Sequence, residues 1–180
     1  MQTGGEAAVS TYKFEHNWLI GREVDEIWGF ISDFHYDGWW PGVCFNTVRK
    51  PEENGVGAEY DSEFKTKLPY KLRFRVKVVS SSPPHSLVMR VTGQLEGQAV
   101  WTLIALGDRT HVRCRWEVRT AVKWMSALGP LLKPLFVWNH NRVVAEGVEG
   151  LSRRLGTRVY PCSDRCLWNA PAPAASFRHN

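Results

Sequence analysis

No stretch of this sequence is long and apolar enough to cross a bilayer as a helix, which takes about 20 residues. Met1 to Val9 is polar and glycine-rich, without the basic start and apolar run of a signal peptide, so a soluble, cytoplasmic protein is expected. Cysteine is scarce: Cys44 and Cys114 fall in apolar segments, and Cys162 and Cys166 near the C-terminus. Scattered cysteines read as reduced thiols. A structural zinc site takes four ligands and the C-terminal pair offers two, so no metal is expected, nor any other cofactor. Also missing are a Ser/His/Asp order, HExxH, GxSxG and a Walker-type loop; Gly55 to Gly57 ("GVG") reads as a hairpin turn. Net charge is small, +5, and from Arg153 onward five arginines (Arg153, Arg154, Arg158, Arg165, Arg178) face Asp164 alone. The remainder is close to neutral, which argues against nucleic acid as a partner.

Aromatics, by contrast, are plentiful. Nine tryptophans, eight phenylalanines and five tyrosines in 180 residues exceed what a core alone calls for, and large amphipathic rings favour interfaces and ligand pockets. The length suits one domain able to bury a core and leave a cavity in it.

Periodicity gives the order of elements. Tyr12 to Ile20 has strand composition. Val24, Ile27, Trp28, Ile31 and Phe34 follow helical spacing, with Glu23, Asp25 and Glu26 in the first turn, where the helix dipole favours anions. Gly38, Pro41 and Gly42 end that helix within "DFHYDGWWPG", Asp33 to Gly42. Six segments with strand character follow, separated by "PEENG", "SSPPH" and "LGDRT", which are hairpin connections. Alternation is clearest where Leu72, Phe74, Val76 and Val78 oppose Arg73, Arg75 and Lys77, and where Val112, Cys114, Trp116 and Val118 oppose Arg113, Arg115, Glu117 and Arg119. One face of the sheet is therefore buried and the other wet. From Pro134 to Leu155 a helix of ~33 Å is expected. Its apolar stripe holds Phe136, Val137, Val143, Val144, Gly147, Leu151 and Leu155, and His140 falls inside that stripe. Gly147 and Gly150 would let its far end approach the sheet closely. Residues 1–11 and 157–180 lack periodicity and read as disordered ends.

This order, with "VDEIWGFISDFHYDGWWPGV" early and "LFVWNHNRVVAEGVEGLSRRL" late, resembles the START-like (SRPBCC) superfamily, and within it the polyketide cyclase/dehydrase type of lipid-transport-like domain. The resemblance spans about Tyr12 to Gly156. It implies an α+β helix-grip fold, a curved seven-stranded antiparallel sheet around the long C-terminal helix, with a cavity between them for apolar small molecules. Carriers, receptors, cyclases and co-chaperones share that fold, so it does not choose among functions.

The residues themselves favour a cavity. Those assigned inward include Phe45, Tyr60, Phe64, Phe74, Met89 and Trp116, with Trp101 joining them on a poorly alternating strand; rings and a methionine suit an apolar pocket. The alternative is that these rings meet and fill the space. Trp40 is expected to point inward and Trp39 to sit on the rim of the mouth. From the helix, Leu132, Phe136, His140 and Val143 complete the candidate ligand-binding set. His140 could hydrogen-bond a ligand or act as acid or base; the plainer reading is an imidazole satisfied by a backbone carbonyl or by Tyr60. Asp33, His35 and Asp37 look like an acid/base cluster, but they lie where a helix becomes a loop, where aspartate commonly makes turn and cap hydrogen bonds.

Three functions compete. The first is a carrier or binding protein for an apolar or aromatic small molecule, lipid or polyketide-like. The second is a polyketide cyclase or dehydratase working in the same cavity, with His140 as its candidate catalytic residue. The third is an interaction module using the outer basic stripe of Lys71, Arg73, Arg75, Lys77, Arg90, Arg113, Arg115 and Arg119, which would meet phosphate head groups or an acidic protein. The first is preferred, as a monomer or homodimer that makes at most transient contact with a membrane surface.

Overall fold

The computed structural model describes residues 11–65, 70–121 and 129–162; the side chains of 129–132 lie outside that description. So do Leu132, Cys166 and most of the two ends expected to be disordered, residues 1–10 and 163–180; within those expected ends, Thr11 opens a strand and Val159–Pro161 form one, because both pair along neighbouring strand edges.

Eight strands form one antiparallel sheet in the order β2-β3-β4-β5-β6-β7-β1-β8. They are β1 (Thr11–Ile20), β2 (Val43–Arg49), β3 (Glu59–Lys65), β4 (Lys71–Ser82), β5 (Ser86–Gly93), β6 (Leu95–Leu106), β7 (Arg109–Thr120) and β8 (Val159–Pro161). β2 to β7 are a meander of hairpins, and β1 returns to pair along its whole length with β7. Helix α1 (Val24–Ser32) packs against β6 and β7, and α2 (Gly129–Leu155) is the long helix that the sheet grips. No helix among the described residues is long and apolar enough to cross a membrane.

The fold is the expected helix grip, with one strand more than seven. β8 pairs with Trp18, Leu19 and Ile20 on the outer edge of β1. Three residues are too few to display a period of two, so no alternation marks them. The long helix also begins five residues before Pro134 and runs through that proline.

Inward-facing residues make one core. Ile20, Ile27, Ile31, Val76, Val78, Leu87, Leu103 and Val112 are almost wholly buried. α1 stops because Phe34 takes a left-handed backbone conformation, φ 58°, which a helix cannot continue. The cost of placing a bulky residue there is offset by burial of its ring, which stacks on Tyr60 at 4.1 Å. The Asp33 carboxylate accepts a hydrogen bond from the His35 backbone N–H at 2.9 Å, the turn role expected for it.

The basic stripe on the outer face is neutralised by register. Glu59, Asp61 and Glu63 of β3 stand opposite Lys77, Arg75 and Arg73 of β4. The ion pairs are Lys77 to Glu59 at 2.9 Å, Arg75 to Asp61 at 2.8 Å, and both Lys71 and Arg73 to Glu63 at 2.7 and 3.0 Å. Arg119 pairs with Glu96, and Arg113 with Glu15. These contacts hold all three acidic side chains of β3 below the usual carboxylate range.

Candidate functional site: an aromatic cavity between sheet and helix

Between the inner face of the sheet and α2 lies a cavity of about 120 Å³. Strand alternation builds one wall. β1 contributes Tyr12 and Phe14; β2 and β3 contribute Phe45 and Phe64; β4 to β7 supply Leu72, Phe74, Val76, Met89, Leu95, Trp101, Trp116, Val118 and Thr120. α2 closes the other side with Phe136, Asn139, His140, Val143 and Val144, and the turn after α1 adds Phe34, Tyr36 and Trp40. The rings largely meet one another: Phe34 on Phe45 at 5.4 Å, Phe64 on Phe74 at 5.1 Å, Phe74 on Trp116 at 5.9 Å. Both sequence readings are thus partly right, since the rings pack and still leave a small space. Among the described residues the wall carries no lysine, arginine, aspartate or glutamate; its polar side chains are His140, Asn139, Thr120, the hydroxyls of Tyr12, Tyr36 and Tyr70, and the indole N–H groups of Trp40, Trp101 and Trp116. Burial pushes the Tyr70 hydroxyl up to about 12, so it stays neutral.

Ten of the twelve candidate residues line this cavity: Trp40, Phe45, Phe64, Phe74, Met89, Trp101, Trp116, Phe136, His140 and Val143. Tyr60 does not; Phe34 covers it. Leu132 is the twelfth, outside the described side chains. Tyr12, Phe14, His16 and Trp18 were legible as one face of β1, since Lys13, Glu15, Asn17 and Leu19 alternate with them. Phe34 carried the helical spacing of α1 but sits just past its end, and Tyr36 carried no periodic signal because it belongs to a turn.

His140 is held differently from the expectation. Its Nε2 lies 3.0 Å from Nε2 of His16, not against a carbonyl or Tyr60. Its ring stacks on Phe14, centroids 3.6 Å apart and planes 12° apart, and the His16 ring stacks on Trp18 at 5.6 Å. Burial, with His16 alongside, pushes the His140 imidazole down to about 3, and burial lowers His16 as well. Both rings are neutral at pH 7, so one donates and the other accepts in a single shared hydrogen bond.

Trp40 points inward as expected, whereas Trp39 does not sit on a rim; each is only 8% exposed. Trp40 Nε1 donates to the Val143 carbonyl at 2.8 Å, pinning the turn to the middle of α2. Gly147 and Gly150 serve this contact instead of one with the sheet. A side chain at 147 would run into the Trp40 ring, and one at 150 into the Trp39 carbonyl.

With this geometry, the model of the polyketide cyclase / dehydrase and lipid transport family matches residues 11–157. The chain belongs to that family. No curated protein matches it. Solved structures similar to it include a START superfamily protein from Mycobacterium smegmatis, 16% identical over 82% of this chain and 98% of the other, with a TM-score of 0.60. A norcoclaurine synthase point mutant from Thalictrum flavum, bound to a transition-state analogue, is 15% identical over 83% of this chain and 99% of the other, TM-score 0.55. The di-domain ARO/CYC StfQ of the steffimycin biosynthetic pathway is 13% identical; the match covers 82% of this chain and 52% of StfQ, TM-score 0.58. At such identities these likenesses speak to fold. They share with this chain the sheet wrapped around a long C-terminal helix.

Proposed function

We propose that this protein binds a neutral, apolar or aromatic small molecule between the sheet and α2 and acts as a carrier or binding protein. The observation that carries this reading is a wall of aromatic rings around unfilled space, with no charged side chain among the described lining residues. Such a surface gains by burying apolar area and offers few groups for making or breaking bonds. A cyclase or dehydratase in the same cavity would use His140 as acid or base. Its depressed proton affinity counts against that role, because an acid or base works best with a pKa near the working pH. The ion-paired outer face likewise gives little support to an interaction module.

Native mass spectrometry of gently purified protein should reveal a co-purified small molecule, or, on emptied protein, uptake of toluene or indole with a rise in melting temperature. Protein that carries no ligand and is not stabilised by any aromatic compound would overturn the reading.

A further inference from the structure

The paired imidazoles do more than fill space. His140 lines the cavity with its Nε2 committed to His16, while its Nδ1 makes no hydrogen bond to a described residue. Neutral histidine carries one N–H, so Nδ1 is a donor when Nε2 accepts and an acceptor when Nε2 donates. The pair can take either arrangement by exchanging which ring donates. Of the common neutral groups, a hydroxyl satisfies both arrangements, since it donates and accepts; a carbonyl or ether satisfies only one, and a hydrocarbon neither. Stacking against Phe14 and Trp18 fixes both ring planes, so little freedom is left to lose when a ligand binds.

Size and charge narrow the remainder of the ligand. An apolar cavity of about 150 Å³ admits benzene. The space here, about 120 Å³, is on the scale of one ring. A carboxylate or ammonium entering it would find no opposite charge among the described lining residues, and burying an unpaired charge is strongly unfavourable.

Resting on the binding function above, we propose that the His16–His140 pair reads a hydroxyl on a neutral single-ring aromatic ligand, so that the cavity selects phenols over the matching hydrocarbon, ether and charged compounds. The test is isothermal titration of the full chain with phenol, anisole, toluene, benzoate and benzylammonium. The expected order is phenol first, then anisole, then toluene, with the two ions not binding. In His140→Phe, which keeps a ring against Phe14, the phenol-to-toluene affinity ratio should fall about fivefold to tenfold, the contribution of one hydrogen bond. A loss of packing alone would weaken both compounds together and leave the ratio unchanged. His16→Phe should lower the ratio in the same way, and the series on the unaltered protein decides the matter if either variant fails to fold. Equal binding of phenol and toluene would overturn this inference and leave the binding function standing; failure of every aromatic to bind would overturn both.

Discussion

At the scale of single residues, burial changes what His140 can do for stability. Its proton affinity in the folded protein is far below that of an exposed imidazole, whose pKa is 6.5, and His16 is shifted the same way. In the unfolded chain both protonate as pH falls through 6.5, while in the folded protein they resist. Folding stability is therefore greatest above pH 6.5 and declines as pH falls below it, through His140 by up to about 1.4 kcal/mol per pH unit down to about pH 3, with His16 adding a loss of the same sign. Glu59, Asp61 and Glu63, whose affinities are also lowered, add a loss of the same sign only at more acidic pH. Denaturant unfolding at pH 5, 6 and 7 should show the decline in the natural protein and a flatter profile in a His16→Phe, His140→Phe double variant. Equal slopes would mean that the pair is not buried neutral.

Among the elements, α2 and the turn that touches it are the most demanding of exact fit. Gly150→Ala would drive a methyl group into the Trp39 carbonyl, and Gly147→Ala would push one into the Trp40 ring. Each should cost about 1–3 kcal/mol or more, because overpacking at a well-fitted contact forces backbone movement. Gly29→Ala is the control: it lies exposed in α1 with nothing near the added methyl, so it should stabilise by roughly 0.5–1 kcal/mol through helix propensity. Thermal melts of the three variants give these signs directly. The same elements show what a sequence can disclose. Leu72, Phe74 and Val76 declared their face by a period of two, and Phe136, His140 and Val143 by helical spacing, so most of the cavity wall was readable. The burial of Trp39 beside an inward Trp40 was not, because adjacent residues in a turn obey neither period. Their burial depends on an approach by Gly147 and Gly150, more than a hundred residues away. The His16–His140 contact was hidden for a similar reason: each residue's face could be inferred, but not the alignment of β1 with α2 that makes them meet.

Over the whole molecule, the outer face carries many charges and little net field. Acids on β3 and bases on β4 cancel across a single hairpin, whereas the surplus of positive charge lies from Arg153 onward. An Asp61→Asn, Glu63→Gln variant would release Lys71, Arg73 and Arg75 together. It should elute from heparin at a higher salt concentration than the natural protein, and an unchanged elution would mean that the pairs do not neutralise the face in solution. The short strand β8 bears on a different hazard. It covers Trp18 to Ile20 on the edge of β1, buries Val159, and is continued by a hydrogen bond from the Cys162 N–H to the Asn17 carbonyl. An uncovered strand edge is a template for another chain. A chain ending at Arg158 should therefore self-associate on concentration, as followed by light scattering, where one ending at Cys162 stays dispersed. Three residues outside the cavity wall would then set how concentrated this protein can become before its copies begin to add to one another's sheets.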